Sequence, residues 1–198
     1  MPFDDFLDVV RRFLVVVPVD EAWYCAEYPE VASALLGAVD ETAAIHFRKH
    51  GYVTHRQPYA PGWNGLRQPV PFLEVTKGFK FVASRGDLYV ETDRQRFLER
   101  LVRLLECVPV DSDWYRATYP SAAHDIDAGR FASAADHYLR AGYFEDLLPF
   151  DIVVDEAWYV SRYRHVRTGL ELGEAASPRD HFIRIGYNEG CQPARESC

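Results

Sequence analysis

The chain has 198 residues, 48% of them hydrophobic, which is enough to bury a core and too apolar for a disordered polypeptide. Its 22 Lys+Arg against 30 Asp+Glu leave a net charge of -8, the wrong sign for a protein that grips nucleic acid by its phosphates. The richest apolar run, Phe13 to Val19, falls far short of the roughly 20 residues a membrane helix needs, and the acidic start Met1-Pro2-Phe3-Asp4-Asp5 is unlike a secretory signal. A cytoplasmic protein without membrane insertion is expected.

Phe3, Phe6, Leu7, Val10, Phe13, Leu14 and Val17 are spaced by threes and fours and place one apolar stripe on a leading helix, which Pro18 stops. Asp20 then stands where an N-cap belongs, ahead of a short helix carrying Trp23, Tyr24 and Tyr28, with Pro29 at its end. A second short helix or turn is expected over residues 30–38. A further helix around His46 should end at Gly51, glycine being the residue that most easily takes the left-handed closing conformation.

This sequence of signals recurs. Val19-Asp20-Glu21-Ala22-Trp23-Tyr24 returns around Asp111 and Trp114, and again around Asp155 and Trp158. A His followed by an aromatic stands 23 residues after each Trp, at His46, His137 and His181. Gly-Tyr follows 28 residues after each Trp, at Gly51, Gly142 and Gly186, and a Pro seven residues later, at Pro58, Pro149 and Pro193. A helix led by Phe97 and Leu98 precedes the second Trp at the same distance as Phe6 and Leu7 precede the first.

Residues 59–95 break the pattern. Pro61-Gly62-Trp63-Asn64-Gly65 is turn-rich, and Phe79-Lys80-Phe81-Val82-Ala83 and Leu88-Tyr89-Val90 read as antiparallel strands joined through Arg85-Gly86-Asp87. The expected fold is therefore mainly α, with three helical repeats of about 44 residues and a small antiparallel β insertion between the first and second. The expected divisions are 1–58, leading helix and repeat 1; 59–95, linker and hairpin; 96–150, leading helix and repeat 2; and 151–198, repeat 3 and tail.

Three histidines in equivalent places could converge on a metal, but stacked repeats keep equivalent residues apart. Each is expected to bond within its own unit, with Asp20, Asp111 and Asp155 acting as caps and Trp23, Trp114 and Trp158 as core. The cysteines Cys25, Cys107, Cys191 and Cys198 form no Cys-x-x-Cys pair and read as free thiols. No Gly-x-Ser-x-Gly, phosphate loop, His-Glu-x-x-His or dinucleotide fingerprint is present. No enzyme, cofactor or metal site is expected.

Asp-x-x-Trp-Tyr-x-x-x-Tyr-Pro followed by His-aromatic-x-x-x-Gly resembles a short helical repeat of bacterial proteins, often attached to glycosyltransferases and other polysaccharide-biosynthesis or surface proteins. Trp23-Tyr24, Tyr28-Pro29-Glu30-Val31-Ala32 and His46-Phe47 carry the resemblance, as do Tyr119-Pro120, His137-Tyr138 and Gly186-Tyr187-Asn188-Glu189-Gly190. The third copy departs at Tyr163-Arg164. The resemblance implies no catalytic residue. It implies an accessory or adaptor subunit whose protein partner belongs to carbohydrate assembly, with a homo-oligomer also open. The insertion, through Trp63, Lys77, Phe79, Lys80, Arg85 and Tyr89, is the expected partner surface. The alternative is a carbohydrate-binding module stacking sugars on exposed rings such as Trp63.

Overall fold

The computed structural model describes residues 1–36, 42–187 and 191–194. They are mainly helical, with one two-stranded antiparallel sheet. The chain divides into two compact units, Met1–Val108 and Pro109–Arg195.

In the first unit α1 (Phe3–Leu14) buries Phe6, Val10, Phe13 and Leu14, the expected stripe. Asp4 and Asp5 in its first turn and Arg11 and Arg12 in its last complement the helix dipole. Next come α2 (Glu21–Glu27), α3 (Pro29–Leu35) and α4 (Ala43–His46), the last widening into a π turn over Phe47–Gly51. Pro29 is the first residue of α3, where its missing N–H costs nothing. The insertion supplies α5 (Phe72–Val75), β1 (Lys80–Ser84) and β2 (Asp87–Glu91).

The chain returns through α6 (Arg94–Val102) and a tight turn over Arg103–Cys107. Phe6 lies at the centre of this unit, with the rings of Phe72, Phe79 and Phe97 at 6.1, 6.0 and 6.1 Å. The helix expected to lead the second segment thus falls within the first unit.

The second unit holds α7 (Ser112–Thr118), α8 (Pro120–Asp127), α9 (Ala134–Arg140), α10 (Glu156–Arg162), α11 (Arg164–Glu171) and α12 (Pro178–His181). As in α4, a π turn continues α12, over Phe182–Gly186. Leu148, Ile152, Tyr159, Val166 and Phe182 form a buried cluster against which Trp114 and Trp158 pack. Ser133 and Ser177 cap α9 and α12 by accepting the N–H of Asp136 and Asp180 at 3.1 and 3.0 Å.

Candidate functional site

The Asp–Trp–Tyr segments place their marked residues in the same bonds. Asp20, Asp111 and Asp155 each accept, through the side chain, the N–H of the Trp three residues on, at 3.0 Å in every case. Their own N–H groups donate to the carbonyls of Pro58, Pro149 and Pro193 at 3.0, 3.0 and 2.9 Å, which accounts for the constant position of those prolines.

The hydroxyls of Tyr24, Tyr115 and Tyr159 are hydrogen-bonded to Nδ1 of His46, His137 and His181 at 3.1, 3.0 and 3.1 Å. The histidines therefore bond within their own segments. No group of His, Cys, Asp and Glu suited to a metal ion occurs among the described residues. The tyrosines were the missing half of the pattern. Their signal in the chain is the constant interval of 22 residues from Tyr to His.

The glycines serve a different purpose from the one expected. Gly51, Gly142 and Gly186 are absent from the positive-φ residues. What excludes a side chain is a close approach, because a Cβ there would come within 2.2, 2.1 and 2.1 Å of the hydroxyl oxygens of Tyr24, Tyr115 and Tyr159. The left-handed closing role belongs to Gly129 and Gly173, with φ of 73° and 74°, just beyond α8 and α11. Burial pushes the phenols of Tyr24 and Tyr115 well above their ordinary pKa, so they keep their protons into alkaline solution. These side chains are committed to one another, an arrangement that holds helices together.

The hairpin is arranged otherwise. Lys80 pairs with Glu91, Phe81 with Val90, Val82 with Tyr89, Ala83 with Leu88 and Ser84 with Asp87. Arg85 and Gly86 form its two-residue turn at φ 53° and 93°, both in the left-handed region that a tight hairpin turn demands. The far edge of β2 is covered: the Val90 N–H donates to the Met1 carbonyl at 2.8 Å, and the N-terminal ammonium donates to the Val90 carbonyl at 3.2 Å. All five residues of β1 are exposed. Phe81, Val82 and Leu88 are 45%, 38% and 40% exposed.

The residues expected to form a partner surface separate here. Lys80 and Arg85 are exposed on the hairpin and Tyr89 is half-buried beside Pro2. Lys77 is exposed and paired with Glu74 at 3.5 Å. Phe79 is not on the surface: it is buried against Phe6 and Phe97, at 6.0 and 6.2 Å. Trp63 is half-buried, one face stacked on Tyr59 at 5.1 Å. Phe81, Val82 and Leu88 were passed over because alternating apolar residues in a strand read equally well as a buried face.

A cavity of about 170 Å³ in the first unit is lined by Phe47, Tyr52, Arg56, Pro58 and Phe72 among others. Its one guanidinium, Arg56, is paired with Glu30 at 3.0 Å and lies over the Tyr28 ring. Cys107 is a free thiol, whereas Cys25 is disulfide-bonded, in contrast to the free thiol expected there. Cys198 lies outside the described residues. No described helix is long and apolar enough to cross a membrane. Compared with protein-family profiles, with characterised proteins and with solved structures, the chain gives no match.

Proposed function

We propose that this is a non-catalytic interaction protein, an adaptor built from three copies of one helical unit, which takes its protein partner on the β-hairpin. One observation carries the reading. Tyr24, Tyr115 and Tyr159 are buried, and Trp23, Trp114 and Trp158, expected as core, are half-buried, while three of the exposed apolar side chains, Phe81, Val82 and Leu88, lie together on a hairpin whose β1 is exposed throughout. An open strand edge offers backbone donors and acceptors to another strand, and its side chains select which one. The resemblance of the Trp-Tyr, His-aromatic and Gly landmarks to a repeat attached to glycosyltransferases points to a partner in bacterial polysaccharide biosynthesis.

The insertion cannot simply be cut out to test this, because Tyr59, Phe72, Val75, Phe79 and Val90 belong to the buried core. A photo-reactive amino acid at Val82, with the exposed Arg167 as control, leaves the core intact. The expected result, in the native cell, is a reproducible set of cross-linked peptides from position 82 and none from position 167. Cross-links that are absent, or equally diffuse from both positions, would refute the reading.

A further inference from the structure

We infer that the strand which pairs with β1 is β1 of a second copy of this chain, running antiparallel with Val82 facing Val82. The inference rests on the interaction reading above and names its partner. The backbone phase comes first. The Val90 N–H points to Met1, away from β1, so Phe81 and Val90 are a non-hydrogen-bonded pair of the antiparallel ladder. The N–H and C=O of Phe81, and by the two-residue period those of Ala83, therefore face the open edge. No hydrogen bond among the described residues reaches them from outside the hairpin. In the self-pair, Phe81 of each copy lies opposite Ala83 of the other, and all of these outward groups are satisfied at once.

The side chains match in the same register. On one face the rows across the joined sheet read Val90, Phe81, Ala83, Leu88, apolar throughout, with the large Phe81 beside the small Ala83. On the other face the central row reads Tyr89, Val82, Val82, Tyr89, and the flanking rows read Glu91, Lys80, Ser84, Asp87. Each Lys80 thus has Glu91 on one side and, across a short serine, Asp87 of the second copy on the other. No like charges stand opposite each other, which is the arrangement cross-strand pairing favours. An edge strand meant to stay single is usually blunted by charge, proline or a bulge. Here Lys80 is the one charge of β1, and β2 is shielded by Met1 and Pro2 while β1 is left open. A lone hairpin is also marginal in water, whereas a sheet of twice the width is not.

The test is the mass of the full-length protein by sedimentation equilibrium, with amide hydrogen exchange on the same samples. A dimer is expected in which the amides of Phe81 and Ala83 are protected together with that of Val82. Ala83→Pro removes an N–H that serves the open edge and none that serves the hairpin. It should raise the dissociation constant by about tenfold or more while the circular dichroism stays unchanged. Should that variant misfold, Val82→Lys and Val82→Glu supply the decision: each alone weakens the dimer, and the mixture restores it as a heterodimer.

A wild type that remains monomeric with freely exchanging Phe81 and Ala83 amides overturns the inference, as does a dimer indifferent to the position-82 charges. Either result spares the wider reading if position 82 cross-links to another protein. If it cross-links to nothing, both fall.

Discussion

Around Tyr115 each marked group meets a partner inside: the hydroxyl meets His137, the Asp111 carboxylate meets the Trp114 N–H, and the Asp111 N–H meets Pro149. Around Val82 the reverse holds. The strand lies exposed, and the backbone groups of Phe81 and Ala83 are directed outward, with no partner from beyond the hairpin among the described residues. Both regions are built from aromatic and β-branched residues next to polar ones, so composition does not separate them. Geometry does. In the segments these polar groups find their partners within a single unit of chain, which makes them self-contained, whereas two of the five residues of β1, Phe81 and Ala83, direct their backbone groups away from the hairpin.

The largest test of the closed regions is alkali. Burial raises the pKa of Tyr24, Tyr52, Tyr59, Tyr115 and Tyr138 above the ordinary value of 10.0. In the unfolded chain these phenols ionise near 10, while in the folded chain they hold their protons. Their contribution is therefore present below about pH 10 and is lost as pH climbs above it. Each such phenol removes about 1.4 kcal/mol of stability per pH unit. Urea midpoints should fall steeply above pH 10, and tyrosinate absorbance should rise together with unfolding. A smooth rise ahead of unfolding would show that the rings are not sealed. Burial also pushes the Cys107 thiol up to about 11, which adds to the loss from about pH 9 upward.

Next in size is Gly142→Ala. The new methyl would sit 2.1 Å from the Tyr115 hydroxyl oxygen, so either the ring moves and gives up His137 or the turn shifts. A cost of about 3 kcal/mol in urea unfolding is expected from overpacking and the lost bond together. In a Tyr115→Phe background the same change should cost much less, because the atom it strikes is gone. Equal costs in the two backgrounds would remove the close-approach explanation for these glycines. Tyr115→Phe alone leaves Nδ1 of the buried His137 unpaired, for about 2 kcal/mol. Tyr24→Phe should cost less, since His46 is only half-buried and water can replace the hydroxyl.

Local signals carried much of this architecture in the sequence itself. Asp20, Asp111, Asp155 and Ser177 cap where a short polar side chain before a helix must, and Arg85-Gly86 turns a hairpin between two alternating runs. What the sequence hid depends on distances across space. Gly142 looks like any helix-ending glycine until the Tyr115 hydroxyl is seen against it. Phe79 and Phe81 are alike in composition and two residues apart, yet one is core and the other is half-exposed, because only packing decides where a strand begins to leave the body. His55 and Asp146 hold positive φ of 64° and 57° in equivalent turns, at the place where the third copy carries Gly190. Neither residue type announces that conformation.

The smallest effect belongs to the hairpin and sharpens the contrast from its open side. Arg85 sits at φ 53°, a conformation that Asn adopts more easily than a long side chain does, and Asn-Gly is the favoured pair for a turn of this kind. Arg85→Asn should stabilise the hairpin by about 0.5 kcal/mol. Global unfolding will scarcely register so local a gain. The amide of Val82, which faces β2, will register it as slower hydrogen exchange, whereas the amides of Tyr115 and His137 should not respond at all. If the change at residue 85 slowed exchange in the tyrosine–histidine segments too, the hairpin would be coupled to them. Its strand edge would then be a part of the folded body and not a surface held out for a partner.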